Sequence, residues 1–377
     1  MYVDIVSLEA DPLAAAGRAV LGLAEALAAE GHEVVLRARG AARATVRRGP
    51  RVTVEYLAAR GRTAAEAARH AGVFGAELAR HWAAAPPDLV SATGWLSGLA
   101  VRAAGPGGVP VVQCLRGLEA SAGADRTDRA ERAAPERTGL RLTTALGMAA
   151  DAVVVGSSAD AERLGRLGVP RDRTYLIPRG VDLEAFRPAG DVRPAGAPRL
   201  IHVCRDPHDA DLATAVRALP AIPGAELVLL GGTVDERLGR LVSRLGVAGR
   251  VRCTAPAGRT DAAGLLRSGD IAVSLSGNSG FDDAVVEAMA CGLPVIATAA
   301  GGGADSLLHG RTGYCVPAGQ PSALAGYARL LLSDEVRREA FGFAAVDRAR
   351  SRYAWARIVA EALTVYDRVL AGAGRPA

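Results

Sequence analysis

From Ile271 to Val316 the chain alternates strand-like and helix-like segments in short, closed blocks, and this leaves few folds open. Ile271–Ser276 (IAVSLS) is an apolar run that reads as a strand buried on both faces of a parallel sheet. GNSG is a turn, and AVVEAMACG reads as one amphipathic helix closed by Gly292. Leu293–Thr298 is the next strand, and Gly301, Gly302 and Gly303 are expected to form a tight loop behind it. A glycine-rich loop after a strand lets backbone N–H groups approach a phosphate. Glu287 falls in the helix beside that loop, where one carboxylate can accept both hydroxyls of a ribose; the alternative is a plain surface carboxylate. The alternation predicts an α/β chain with doubly wound parallel sheets.

The rest of the sequence repeats this architecture without any short fixed period. Residues 3–8 read as a first strand, followed by a helix over 18–30 and the strand VVLRA. An Ala-rich helix is expected over 63–83, and PPDLVSATGWLSGLAVRAA reads as strand, turn and helix. Glu119–Gly139 is charged with little periodicity and is expected to be a surface loop or lid. A proline-bearing stretch at 188–198 reads as a semi-rigid linker. The expected organisation is therefore a first domain over 1–187, a second over 199–352 and a terminal helix over 353–377.

At 377 residues the chain has room for two cores. No run approaches the ~18 apolar residues of a membrane-spanning helix, and MYVDIVSLEA reads as a strand rather than a leader. The five cysteines are not spaced as a metal or redox pair, so a reduced, cytoplasmic setting is expected. All 45 basic residues are arginine. Without lysine, a Walker-type phosphate loop, a Schiff-base mechanism and lysine acid–base chemistry are excluded. The arginines alternate with acids and have few aromatics among them, so no nucleic-acid partner is expected. The first loop, EADPLAAAG, lacks the G-x-G-x-x-G of a nicotinamide-binding domain.

The order S-x-x-S-x-F, E-A-M-A-C-G-L-P-V-I-A, G-G-x-x-D and G-R-T-G-Y-C-V over 276–316 resembles the C-terminal signature of GT4-type, GT-B-fold glycosyltransferases. D-L-V-x-x-x-x-W-L-S-G over 88–98 is similar to the branch that makes mycothiol-type glycosides. The resemblance implies two Rossmann-like domains facing a central cleft and a retaining enzyme. That enzyme would move a sugar from a nucleotide-diphosphate donor, UDP or GDP expected, to a small-molecule acceptor, with no separate cofactor and no metal. It implies that Glu287 binds the nucleotide ribose, and that Gly17 (from a Gly-Gly pair that here reads Ala16-Gly17), Gly231 and Gly301–Gly303 line the donor. Arg205 matches the arginine that neutralises the diphosphate. Thr93, Trp95 and Arg116 become the acceptor-side residues, Trp95 alternatively belonging to the core.

Four positions depart from the family together. Thr93 and Arg116 replace histidines, the lysine after Arg205 is absent, and Ser279 stands where the first of two glutamates belongs. Asp282 and Asp283 follow that lost carboxylate, either taking over its work on the sugar or serving as helix N-terminal charges. His208, Asp209 and Asp211 occupy the lysine's neighbourhood, and their D-A-D pattern is read as coincidence rather than a metal site. The departures suggest an enzyme of specialised, antibiotic-like metabolism. The alternative is a repurposed or non-catalytic relative, with an unusual donor and a nitrogen or sulfur acceptor, or a role as a partner subunit. Oligomeric state stays open, a homodimer included, since no heptad stands out.

Overall fold

The computed structural model describes residues 1–9, 11–13, 17–58, 71–115, 128–189, 196–204, 210–254, 258–275 and 280–374, with side chains described in these except at 128–138, 210–211 and 259–260. The described residues gather into two compact units. One is built chiefly from the chain through Gly180 together with the last helix from Trp355, the other from Val181–Ala354.

The first unit runs β1 (Tyr2–Ser7), α1 (Arg18–Ala29), β2 (Glu33–Gly40), β3 (Ala44–Arg47), β4 (Val52–Ala58), α2 (Ala71–Ala84), β5 (Leu89–Thr93), α3 (Trp95–Ala104), β6 (Val111–Leu115), α4 (Asp128–Ala149), β7 (Ala152–Val155), α5 (Ser158–Arg166) and β8 (Thr174–Leu176). Its sheet has the order β3-β4-β2-β1-β5-β6-β7-β8, parallel except where β3 folds back on β4. All five residues of β5 are buried, as expected for a strand covered on both faces. One face packs α1 through Val20, Leu21, Ala24 and Leu27. The helix Trp355–Gly372 joins it there with Ile358, Val359, Ala362, Val365 and Tyr366, a period near 3.6. The other face is covered by α2 and α3.

That second face holds a buried charge. Asp4 in β1 is fully buried, and its Oδ2 accepts from Arg37 Nε in β2 and from Trp82 Nε1 in α2, both at 2.7 Å. Arg37 also donates to Glu55 in β4, its neighbour in register. Burial pushes the Asp4 carboxyl up against the lowering pull of Arg37 and Trp82.

The second unit runs β9 (Arg199–Val203), α6 (Ala210–Ala218), β10 (Glu226–Leu230), α7 (Glu236–Arg244), β11 (Val251–Thr254), α8 (Arg259–Arg267), β12 (Ile271–Ser274), α9 (Asp283–Ala290), β13 (Val295–Thr298), α10 (Gly301–Ser306), β14 (Gly313–Val316), α11 (Pro321–Ser333) and α12 (Glu335–Tyr353). The sheet is wholly parallel in the order β11-β10-β9-β12-β13-β14. The chain winds outward from β9 to β11, then returns to β9 and winds the other way. The order therefore reverses between β9 and β12, where a doubly wound sheet opens a crevice at its carboxyl edge.

Three expectations change. Within Glu119–Gly139, residues from Asp128 on are helix α4 rather than loop. Ala, Arg and Glu have high helix propensity, so a stretch without apolar periodicity still coils. Gly301, Gly302 and Gly303 are the first turn of α10 rather than a loop. Val181 and Phe186 are buried in the second unit's core, and Val181 N–H bonds Tyr353 O at 2.8 Å. The change of unit thus precedes the 188–198 stretch, of which 190–195 lie outside the described residues, as do 63–70 of the expected 63–83 helix.

Removing one partner of the Asp4–Arg37 pair strands the other as a buried charge. Asp4→Ala should therefore cost about 3 kcal/mol or more, while Asp4→Leu with Arg37→Met should recover most of it. Thermal unfolding of both proteins checks this; a double variant as unstable as the single would show that the cost lies elsewhere.

Candidate functional site

In the second unit, β12 and α9 bring most of the candidates together. Asp282 is the N-cap of α9, with Oδ1 accepting from Ala284 N–H at 3.0 Å, the contact for which Asp is favoured at that position. Its Oδ2 accepts from the Ser274 hydroxyl at the end of β12. Asp282 thus caps α9 and meets the end of β12. Asp283 and Glu287 stand one helical turn apart and so share a face of α9. The neighbouring positions Val285, Val286, Ala288 and Met289 are buried, and Glu287 is half-buried.

The first turn of α10 lies against the chain that precedes α9. Gly302 N–H donates to Gly280 O at 3.1 Å, so this amide is committed inside the protein. A Cβ at Gly302 would overlap Gly280 O and Phe281 Cα, which explains a glycine here independently of any phosphate. Gly231 directly follows β10, its N–H bonding Thr254 O at 2.8 Å, and it lies beside the Cys204 carbonyl. It thereby borders the residue before Arg205. Arg205, Ser279 and Arg116 lie outside the described residues, as do His208, Asp209 and the Asp211 side chain. Among the described residues no group of three His, Cys, Asp or Glu could hold a metal ion.

In the first unit the sheet order reverses between β1 and β5, and here the structure adds a residue that the sequence reading missed. Glu9, just past β1, accepts the Leu96 N–H in the first turn of α3 through Oε1 at 2.9 Å. A carboxylate is favoured there by the orphan amides and the positive end of the helix dipole. Gly94, at φ +86°, leaves the room: any Cβ would overlap the Glu9 carboxylate. The signal available in the sequence was an acid just after the first strand and a glycine just before a helix, too common alone to single out. Thr93 closes β5 and is buried, while Trp95 is half-buried against the α2–α3 core. Gly17 is the N-cap of α1, packed on the Asp11 carbonyl and Pro12.

The comparisons agree with one another. The sequence family described as Glycosyltransferase Family 4 matches residues 16–185, and that described as Glycosyl transferases group 1 matches 191–348. A D-inositol 3-phosphate glycosyltransferase of Catenulispora acidiphila is 30% identical over 314 residues, 77% of this chain and 74% of that one. Among solved structures, a sucrose-phosphate synthase from Thermosynechococcus elongatus superposes with a TM-score of 0.86 at 25% identity, over 98% of this chain and 99% of that one. Anabaena HepE in complex with UDP superposes with a TM-score of 0.76 at 18% identity, over 98% and 100%.

Proposed function

The chain belongs to the family 4, group 1 glycosyltransferases of GT-B fold, and from that membership we propose that it moves a sugar, with retention, from a nucleoside-diphosphate donor to a small polyol. The observation that carries the donor half is Glu287. It stands half-buried on the helix that follows β12, beside the strand-order reversal where such sheets take their ligand. Its two oxygens accept from the two ribose hydroxyls, and Asp283, one turn earlier, faces the sugar. UDP is preferred over GDP as the nucleotide, in line with the UDP bound to HepE.

The sugar's anomeric carbon loses its bond to the β-phosphate oxygen and gains one to an acceptor oxygen. The leaving phosphate takes up the acceptor's proton, so no dedicated base is needed. What the protein must supply is stabilisation of the departing diphosphate, worth about 3 kcal/mol for each well-placed donor. Arg205 and the amides of Gly301 and Gly303 are the groups proposed for it. The non-catalytic alternative, a partner subunit, would bind the nucleotide and cleave no donor.

On the acceptor side, the relatives' names point to an inositol phosphate rather than to the specialised metabolite expected from the sequence. Glu9 argues for the polyol without the phosphate at this end. Its carboxylate already occupies the α3 terminus, and an acceptor anion brought there meets like charge.

Two measurements test these halves. UDP at about a hundred times its dissociation constant adds about 2.7 kcal/mol, enough to raise the thermal midpoint by several degrees. Glu287→Ala should lose that shift while its ligand-free midpoint stays close to the parent's; an equal shift in both would refute the ribose contact. Glu9→Gln keeps a hydrogen-bond acceptor for Leu96 but removes the charge. The variant should improve kcat/KM for inositol monophosphate about tenfold relative to inositol, by relief of an interaction of some 1.4 kcal/mol. An unchanged ratio would remove Glu9 from acceptor choice.

A further inference from the structure

Asp282 holds three pieces of the second unit at once. Ser274, the buried last residue of β12, donates its hydroxyl to Asp282 Oδ2, and Asp282 Oδ1 accepts from the Ala284 amide in the first turn of α9 at 3.0 Å. The same Oδ2 lies 3.8 Å from where a Cβ of Gly303 would stand, so the carboxylate also abuts the first turn of α10. On either side the chain is fastened. Gly280 O takes the Gly302 N–H at 3.1 Å, and Phe281 is buried with its ring 5.7 Å from that of Tyr353. β12 itself is fixed between β9 and β13, with Ser274 paired to Ala297.

We propose that Asp282, oriented by Ser274, is the positioning residue of the donor side, setting the start of α9 and through it the direction of Asp283 and Glu287. This rests on the donor role given to Glu287 above. The physical reason is helical register. Each residue of an α-helix turns the axis by about 100° and advances it by about 1.5 Å, so a cap displaced by one residue aims Glu287 at a different wall. Glu287 lies five residues past the cap, near enough that it depends on that first turn. Val285, Val286 and Met289 bury one side of α9 but pack without directional bonds. The Ser274–Asp282–Ala284 chain supplies the direction. Asp282 acts through α9 and is not a catalytic residue.

This separates from a catalytic role by chemistry. Asn also caps helices through its amide oxygen, and its amide nitrogen can donate to the Ser274 hydroxyl oxygen, but it carries no charge. Asp282→Asn should therefore restore UDP affinity and donor cleavage to near the parent's values, with an unchanged pH profile. Asp282→Ala should weaken UDP binding by about tenfold, the scale expected when a contact group is displaced by less than 1 Å. Ser274→Ala should weaken it in the same direction by less. Titration with UDP, donor hydrolysis with UDP-glucose, and hydrogen exchange at the amides of 283–286 read the three variants. An Asn variant as impaired as Ala would overturn the proposal in favour of a charged contact with the sugar. Full UDP affinity in both Asp282→Ala and Ser274→Ala would overturn it outright. Should the parent bind no UDP, the donor reading fails on its own. Exchange at 283–286 then decides the brace: faster in Asp282→Ala and Ser274→Ala than in the parent upholds it, unchanged overturns it. If Asp282→Ala does not fold, Ser274→Ala carries the same comparison.

Discussion

The second unit depends on a parallel pairing in which one strand serves both directions of winding. β9 bonds β10 on one side and β12 on the other, so the helices that follow β9 and β12 must diverge at the carboxyl edge. No loop can fill the gap without crossing the sheet edge, and the gap is therefore where side chains at the strand ends meet a ligand. Ser274, Asp282 and Glu287 all descend from the strand that borders it. The first unit repeats the constraint with β1 between β2 and β5.

The strand–helix alternation over 271–316 was legible because each piece carries its own local signal. β12 and β13 are apolar runs, α9 has one polar position inside a buried stretch, and Gly292 at φ +86° ends the helix as a C-terminal glycine does. The place of Glu287 on that helix was legible for the same reason. What the local signals did not resolve was the state of three consecutive glycines. Glycine disfavours a helix interior by about 1 kcal/mol per residue, which argues for a loop. The structure overrides that preference by close packing, since only a residue without Cβ brings α10 against Gly280.

Glu9, Ser274 and the Asp4–Arg37 pair were illegible for a different reason. Glu9 meets Leu96 across 87 residues, and Arg37 meets Asp4 across 33. Such contacts follow from strand order, which periodicity alone does not determine. Asp282 was read as either a substitute acid or a helix-end charge, and the structure shows it capping α9 with Ser274 as its partner. That contact joins β12 to the start of α9 across eight residues and does not follow from composition.

Each unit presents a helix just across its strand-order reversal, and the N-terminus of each already holds a carboxylate from the chain. Glu9 fills the terminus of α3, and Asp282 that of α9. A helix N-terminus is the ordinary receptor for phosphate in a doubly wound sheet. On the proposed donor reading, those two termini offer a diphosphate no open positive end, which leaves the first turn of α10 and the arginines. No lysine exists to provide it. Guanidinium is then the one fixed cation available, and unlike an ammonium it offers a planar fork that meets two phosphate oxygens at once and does not titrate near neutrality. Under the proposed donor reading, acids cap α3 and α9, and arginine together with the amides of Gly301 and Gly303 is left to hold the phosphate.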